Sequence, residues 1–293
     1  MRRLTGRRTR IALARFGTIS GGSAVYLVWI LFPIWFTIQS SFSAPRDIGA
    51  VPAPLWPAHP TLDNYRAVLG FGDDAGTSAT SQVSRVVEGM GHSFLVSAVL
   101  VVSNLLIAGL CAYGLSRFPY PGSQSFFNFV VLSRVVPGLA LIGPFFVAFR
   151  VLGVLDHPAA ALIISYHAFT LPLAIMMLKN YFDQVPVDVE EAAAIDGASR
   201  VRTLLVVVAP LAVPGLVATG VLVFMEAWSE LFFSLTLTSQ YTVPPILAGF
   251  QSLQNFNWTE LAAATVLTLI PPVVVAMLFQ RYVVNALASG MGK

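Results

Sequence analysis

The sequence predicts an all-α membrane protein with six transmembrane helices and a polar helical insert between the fourth and fifth. Three observations carry this. Of the 293 residues, 56% are hydrophobic and 11% charged, against about 45–50% and about 25% in soluble domains. Apolar runs with few or no charges recur along the chain, each near the roughly 20 residues an α-helix needs to cross the hydrocarbon core. Period-two alternation is absent, and in lipid only helices or closed barrels satisfy every backbone polar group.

The first run, Ile19–Ser40, follows Arg2, Arg3, Arg7, Arg8, Arg10 and Arg15. It is longer than the roughly 7–15 residues of a signal-peptide core and contains Trp29, Pro33 and Trp35, so an uncleaved first helix is expected. Ala44–His92 is the longest stretch between runs. Pro52, Pro54, Pro57 and Pro60 favour an extended path there. Val83, Val86, Val87 and Met90 then repeat at helical spacing, as a short interfacial helix or as part of an outer gate. The later runs are Ser93–Ser116, Phe126–Phe149, Ala159–Leu178, Leu204–Met225 and Leu261–Phe279.

Cations set the expected orientation, because short cytoplasmic segments carry excess Lys and Arg. With the N-terminus inside, the inner segments hold the N-terminal arginines, Arg117, Lys179, Arg200, Arg202, Arg281 and Lys293. The outer ones hold Arg46, Arg66, Arg85 and Arg150. Both termini and the insert after Leu178 are therefore expected in the cytoplasm, which also accounts for the net charge of +3 without nucleic acid. Residues 1–18 read as a basic cytoplasmic segment, and 19–293 as one transmembrane domain.

Chemistry is sparse. The one cysteine, Cys111, lies inside the second run, and His59, His92, His157 and His167 lack metal-ligand spacing. No catalytic residue and no metal site are expected. An intramembrane enzyme finds no nucleophile motif or paired aspartates. The only lysines, Lys179 and Lys293, lie outside any GxxxxGK[ST] loop. This chain is thus expected to bind no nucleotide or other cofactor.

The insert, about 183–210, carries the strongest local signal. Val185-Pro186 and early acids mark a helix N-terminus, Ala192–Ala194 is strong helix former, and Gly197 permits a turn that a Cβ would oppose. Helix then resumes to Pro210. Physics alone leaves two readings open: a surface gripped by a partner, or an ordinary helical hairpin between spans.

Ionisable groups within the runs are costly and default functional hypotheses. Arg134 stands in Leu132-Ser133-Arg134-Val135-Val136-Pro137-Gly138. It reads as the partner of Glu226 or Glu230, as a substrate contact, or as a snorkelling cation. Glu226, Trp228 and Glu230 lie toward the outer end of the fifth run, where an aromatic face and carboxylates suit a sugar; Trp228 also suits an interface belt. Asn104, Tyr166 and His167 read as path-lining groups or as helix-joining ones.

Glu191-Ala192-Ala193-x-x-Asp196-Gly197-Ala198, followed by Pro210-Leu211 and Pro214-Gly215, resembles the EAA signature of bacterial ABC importer permeases. Phe224–Phe233, Thr242-Val243-Pro244-Pro245 and Gln280–Val284 extend the resemblance to the carbohydrate branch, the maltose-type six-helix permeases. The likeness runs from about Tyr26 to the C-terminus. His92-Ser93 stands where that family commonly shows Asn-Ser.

The resemblance implies that Glu191, Ala192, Ala193, Asp196, Gly197 and Pro210 form a coupling segment seated in a cleft of a separate ATPase. It implies a second homologous permease, a dimer of ATPase subunits using ATP and Mg, and an extracytoplasmic solute-binding protein, all at a bacterial cytoplasmic membrane. The implied solute is a sugar or sugar-like molecule, with Asn104, Arg134, His167, Glu226, Trp228 and Glu230 as path candidates. The alternative is a phosphorylated polyol or other small polar anion. A secondary transporter would leave the Glu191 segment without a purpose.

Overall fold

The computed structural model describes residues 2–51, 54–71, 85–239, 241–250 and 257–290, with side chains from Ser20 to Val284. Helices dominate, and the described residues contain no strand, only an isolated bridge between Ser43 and Pro60. Four helices are long and apolar enough to cross a membrane, and six spans result if each of two bent pairs counts as one. The described residues separate into two compact units: 1–79 with 253–267, and 80–252 with 268–293.

The first unit contains α1 (Arg2–Ser41), α2 (Asp63–Val68) and the start of α13 (Trp258–Gly290). The basic segment and the first span share one helix, and the apolar side chains Val25–Phe36 of that helix are largely exposed. Those residues await lipid or another chain, since water would not tolerate so large an apolar surface. The stretch after α1 is pinned rather than loose. Buried Asn64 donates to the carbonyls of Ser41 and Ser43 at 2.9 Å and accepts from Thr259 Oγ1 at 2.8 Å. Trp56 packs on Trp35 with ring centroids 5.5 Å apart.

The second unit is built around α3 (Val86–Arg117) and α6 (Pro158–Phe182). Fully buried Ala108, Ala112, Ala161 and Ala174 lie in its core beside Leu100, Leu162 and Leu178. Small residues let helix backbones approach closely where lipid supplies no hydrophobic drive. Around this pair lie α4 (Ser123–Ser133), α5 (Gly138–Leu152), α7 (Val187–Ile195) and α8 (Arg200–Thr203). After α8, π-helical Leu204–Val208 leads into α9 (Ala209–Leu211), α10 (Val213–Trp228), α11 (Phe232–Leu237) and α12 (Val243–Ala248).

Three expectations are corrected. The run Phe126–Phe149 is not one straight helix: α4 and α5 meet at 95°. Pro137 caps α5 in an extended conformation and disfavours helix at the residue before it. The run Leu204–Met225 is likewise broken, with Arg200–Leu211 at 81° to α10. Pro210 has no N–H for Val206, and its ring crowds that carbonyl. The turn before it widens to π-helix, and Pro214 starts the next helix. Third, Val86, Val87 and Met90 are not a separate interfacial helix but the opening turns of α3; Val83 lies outside the described residues.

Candidate functional site

Two arrangements in the second unit hold most of the polar groups that the sequence singles out. The first surrounds α7. Pro186 caps this helix, Asp188 and Glu190 stand in its first turn, and Gly197 follows its end at φ +83°. That left-handed conformation explains the glycine. It also lets the Ala198 N–H return to the Ala193 carbonyl at 2.9 Å and the Gly197 N–H to Ala194 at 3.1 Å, which satisfies helix-end acceptors. Ser199 then caps α8 by accepting from the Arg202 N–H.

Glu191, Ala192, Ala194, Ile195, Asp196 and Gly197 are all exposed, and Ile195 shows 87% of its surface. Ala193 is half-buried, and Pro210 is exposed beyond the π-helical turn. The signature residues therefore form an open face, apolar at Ile195 and acidic at Glu191 and Asp196.

Sequence reasoning missed what holds this face. Glu190, 3% exposed, is the only buried side chain of α7. Arg117 Nε, from the last residue of α3, donates to Glu190 Oε1 at 2.6 Å, and the Tyr113 hydroxyl donates to Oε2 at 2.9 Å. Arg117 Nη2 also donates to the carbonyls of Phe182 and Val185, at 2.8 Å each. Ser116 bridges onward: it accepts from Arg117 Nη1 at 2.8 Å and donates to Asp183, which also accepts from Lys179. The signal available in the sequence was an Arg ending one apolar run and a second Glu beside the motif's own.

Gly215, on the same signature, faces Tyr181: a Cβ built there would fall within its ring. That close crossing places the start of α10 against the end of α6.

The second arrangement lies at the α4–α5 break. A cavity of about 360 Å³ is lined by Arg134, Pro137, Phe169, Glu230, Phe232 and Phe233, among others, a volume within the range of small-ligand sites. Arg134 does not sit inside a continuous helix as the sequence suggests; it caps the C-terminus of α4. Its Nη2 donates to Glu226 Oε1 at 3.2 Å, and both side chains stay about one-third exposed. Glu230 lies beyond the end of α10 and accepts from the N–H groups of Phe232, Phe233 and Ser234 at 2.9, 3.0 and 3.3 Å. It thereby caps α11.

Arg134 and Glu230 thus line one cavity and Glu226 joins it through its bond to Arg134, whereas three other candidates lie elsewhere. Asn104 is fully buried and donates to the Leu100 carbonyl of its own helix. His167 joins helices: its Nδ1 donates to the Ile163 carbonyl at 2.6 Å, and Nε2 faces Ser103 Oγ at 3.0 Å. Trp228 is buried against Phe224, with centroids 5.6 Å apart, and Val243. It offers no open ring face, because α12 and its neighbours cover it.

At the far end of α3, His92 stacks on Tyr241 at 3.8 Å and donates to its carbonyl, while Ser93 Oγ accepts the Val243 N–H at 2.9 Å. The His92-Ser93 pair ties α3 to the segment that opens α12.

Residues 104–289 match the family model described as binding-protein-dependent transport system inner membrane component. The chain is 34% identical over 274 residues to the trehalose/maltose transport system permease protein MalG of Thermococcus litoralis, covering 92% of this chain and 94% of that one. It is 30% identical over 271 residues to the sulfoquinovosyl glycerol transport system permease protein SmoH of Agrobacterium fabrum, covering 92% and 90%. Its fold matches a chain of a bacterial ABC transporter that imports the acidic polysaccharide alginate, with TM-score 0.75, 23% identity, and 91% and 96% of the two chains covered.

Proposed function

Because this chain belongs to the binding-protein-dependent transport system inner membrane components, we propose that it forms half of the translocation path of an ATP-driven importer for a sugar or sugar-like solute. As a member of that family it is a multi-pass permease subunit of a sugar-type ABC importer, not a catalytic one. Both termini and α7 face the cytoplasm in this reading. ATP and Mg are used by a dimer of partner ATPase subunits, a second homologous permease completes the path, and an extracytoplasmic solute-binding protein delivers the solute.

The observation that carries the reading is the posture of α7. Every residue of the signature from Glu191 to Gly197 except Ala193 is open, while Glu190 is drawn inward to Arg117. A hairpin that merely joined two spans would have no reason to present Ile195 to solvent while it anchors a carboxylate. The small Ala192 and Ala193 suit close packing in a cleft, Glu191 a charged contact, and Gly197 the turn. ATP-driven closure of the ATPase pair pushes this helix and turns the bundle between two states, a rigid-body mechanism. Arg134, Glu226, Glu230 and the aromatic wall of the α4–α5 cavity form the solute contact in this proposal; Asn104, His167 and Trp228 support the helices around it.

A second reading takes a phosphorylated polyol or other small polar anion as the solute. Its support is Arg134 on the cavity wall, since guanidinium groups suit phosphate, sulfonate and carboxylate geometry. Purifying the chain from its native membrane tests the whole proposal. Recovery of an ATPase and a second permease supports it, and stimulation of ATP hydrolysis by neutral or anionic sugars decides between the two solute classes. Recovery of the chain alone under conditions that preserve such complexes would overturn it.

A further inference from the structure

We infer that the Glu190–Arg117 pair is the joint that fastens α7 to the spans, so that the coupling helix, the end of α6 and the end of α3 travel as one body. This rests on the coupling reading above. It goes further by assigning the transmission to residues outside the exposed signature face.

Glu190 is the only fully buried side chain of α7. The helix also touches α8 and the π-helical Leu204–Val208, both of which follow it in the chain through Gly197, so a push on Glu191, Ala192 or Ile195 reaches α3 and α6 by side chain through Glu190. At one end Gly197 turns the chain toward α8, and a Cβ built there has no neighbour within 4 Å. At the other end lie Phe182 and Val185, whose carbonyls are held by Arg117 as well. One guanidinium therefore clamps the helix and the segment that leads into it.

The chemistry suits a rigid joint. Both carboxylate oxygens of Glu190 are engaged, one by Arg117 and one by the Tyr113 hydroxyl. The side chains are 3% and 9% exposed, so the pair is not a surface contact that solvent loosens. Charge-assisted bonds at this separation are short and strongly directional. Arg117 closes the 32-residue α3, about 48 Å of rigid helix at 1.5 Å per residue. Movement of its end is thus carried along the whole span.

Two spin labels read this directly, one at Asp188→Cys, exposed on α7 outside the signature, and one at Leu110→Cys on α3, in a Cys111→Ser chain within the complete importer. The expected result is a label separation that stays constant to within about 2 Å, the scale of small helix shifts, when ATP and vanadate trap the closed state. In Glu190→Gln, and in Arg117→Met/Glu190→Met, which removes both charges while keeping bulk, the same trapping shifts or broadens that separation. A separation that changes in the unaltered chain, or that stays constant in both variants, overturns the inference. If the complex contains no ATPase, the coupling reading itself fails, and that failure is visible before any label is read.

Discussion

Replacing Glu190 by Ala isolates the energetics of the α7 anchor. The substitution removes the carboxylate that faces Arg117 at 2.6 Å and the Tyr113 hydroxyl at 2.9 Å. Arg117, 9% exposed, then holds a buried charge without a counter-charge, a loss of about 3–5 kcal/mol when one partner of a buried pair is deleted. The carbonyls of Phe182 and Val185 and the Ser116 hydroxyl still engage its Nη atoms, so the expected value is the lower end, about 3 kcal/mol. Glu191→Ala, one residue away and exposed, changes stability by no more than about 0.5 kcal/mol. Both substitutions share the same gain in helix propensity, so their difference reads the anchor alone. Equilibrium unfolding of the detergent-purified chain, followed by tryptophan fluorescence, measures it. Equal stabilities for the two variants would refute the reasoning. Arg117→Met/Glu190→Met is expected to recover most of the loss, since apolar replacement of a whole buried pair is commonly neutral or better.

The remaining predictions concern the signature and the cavity. Gly197→Asp places an L residue at φ +83°, at about 1–2 kcal/mol, with open space around its Cβ. Membrane levels by immunoblot should hold while solute uptake is abolished. Gly215→Val drives a side chain into the Tyr181 ring and should cost about 1–3 kcal/mol of detergent stability, a loss that Tyr181→Ala reverses in the same unfolding assay. Arg134→Gln removes the cation on the cavity wall, and uptake assays should show at least a roughly tenfold loss for an anionic solute, given about 1.5–3 kcal/mol for a charged hydrogen bond; assembly with partners should be unchanged.

The spans and the helix and turn of the insert were legible because each leaves a local mark. Lipid demands long uncharged runs, and the turn after α7 demands a glycine at 197. The breaks were harder to read. Pro137 and Pro210 bend their spans, yet Pro144, Pro172 and Pro271 lie within continuous helices. Neighbouring helices can re-satisfy the freed backbone groups at such positions. The choice between Glu190 and Glu191 was equally hidden. Adjacent residues on a helix point about 100° apart, so one faced the network and the other faced outward, and only tertiary packing assigned which. Trp228 reads from sequence as a ring able to meet a solute, but Phe224, one turn back on α10, and Val243 of α12 cover it, and the approach of α12 leaves no local mark.

The central claim is that α7 is gripped by an ATP-hydrolysing partner. A photo-crosslinking residue at Ala192, exposed on that helix, tests it in native membranes. The account predicts covalent transfer to an ATPase subunit, and none from Leu110 on α3. Transfer to no ATPase, or to lipid alone, would contradict it.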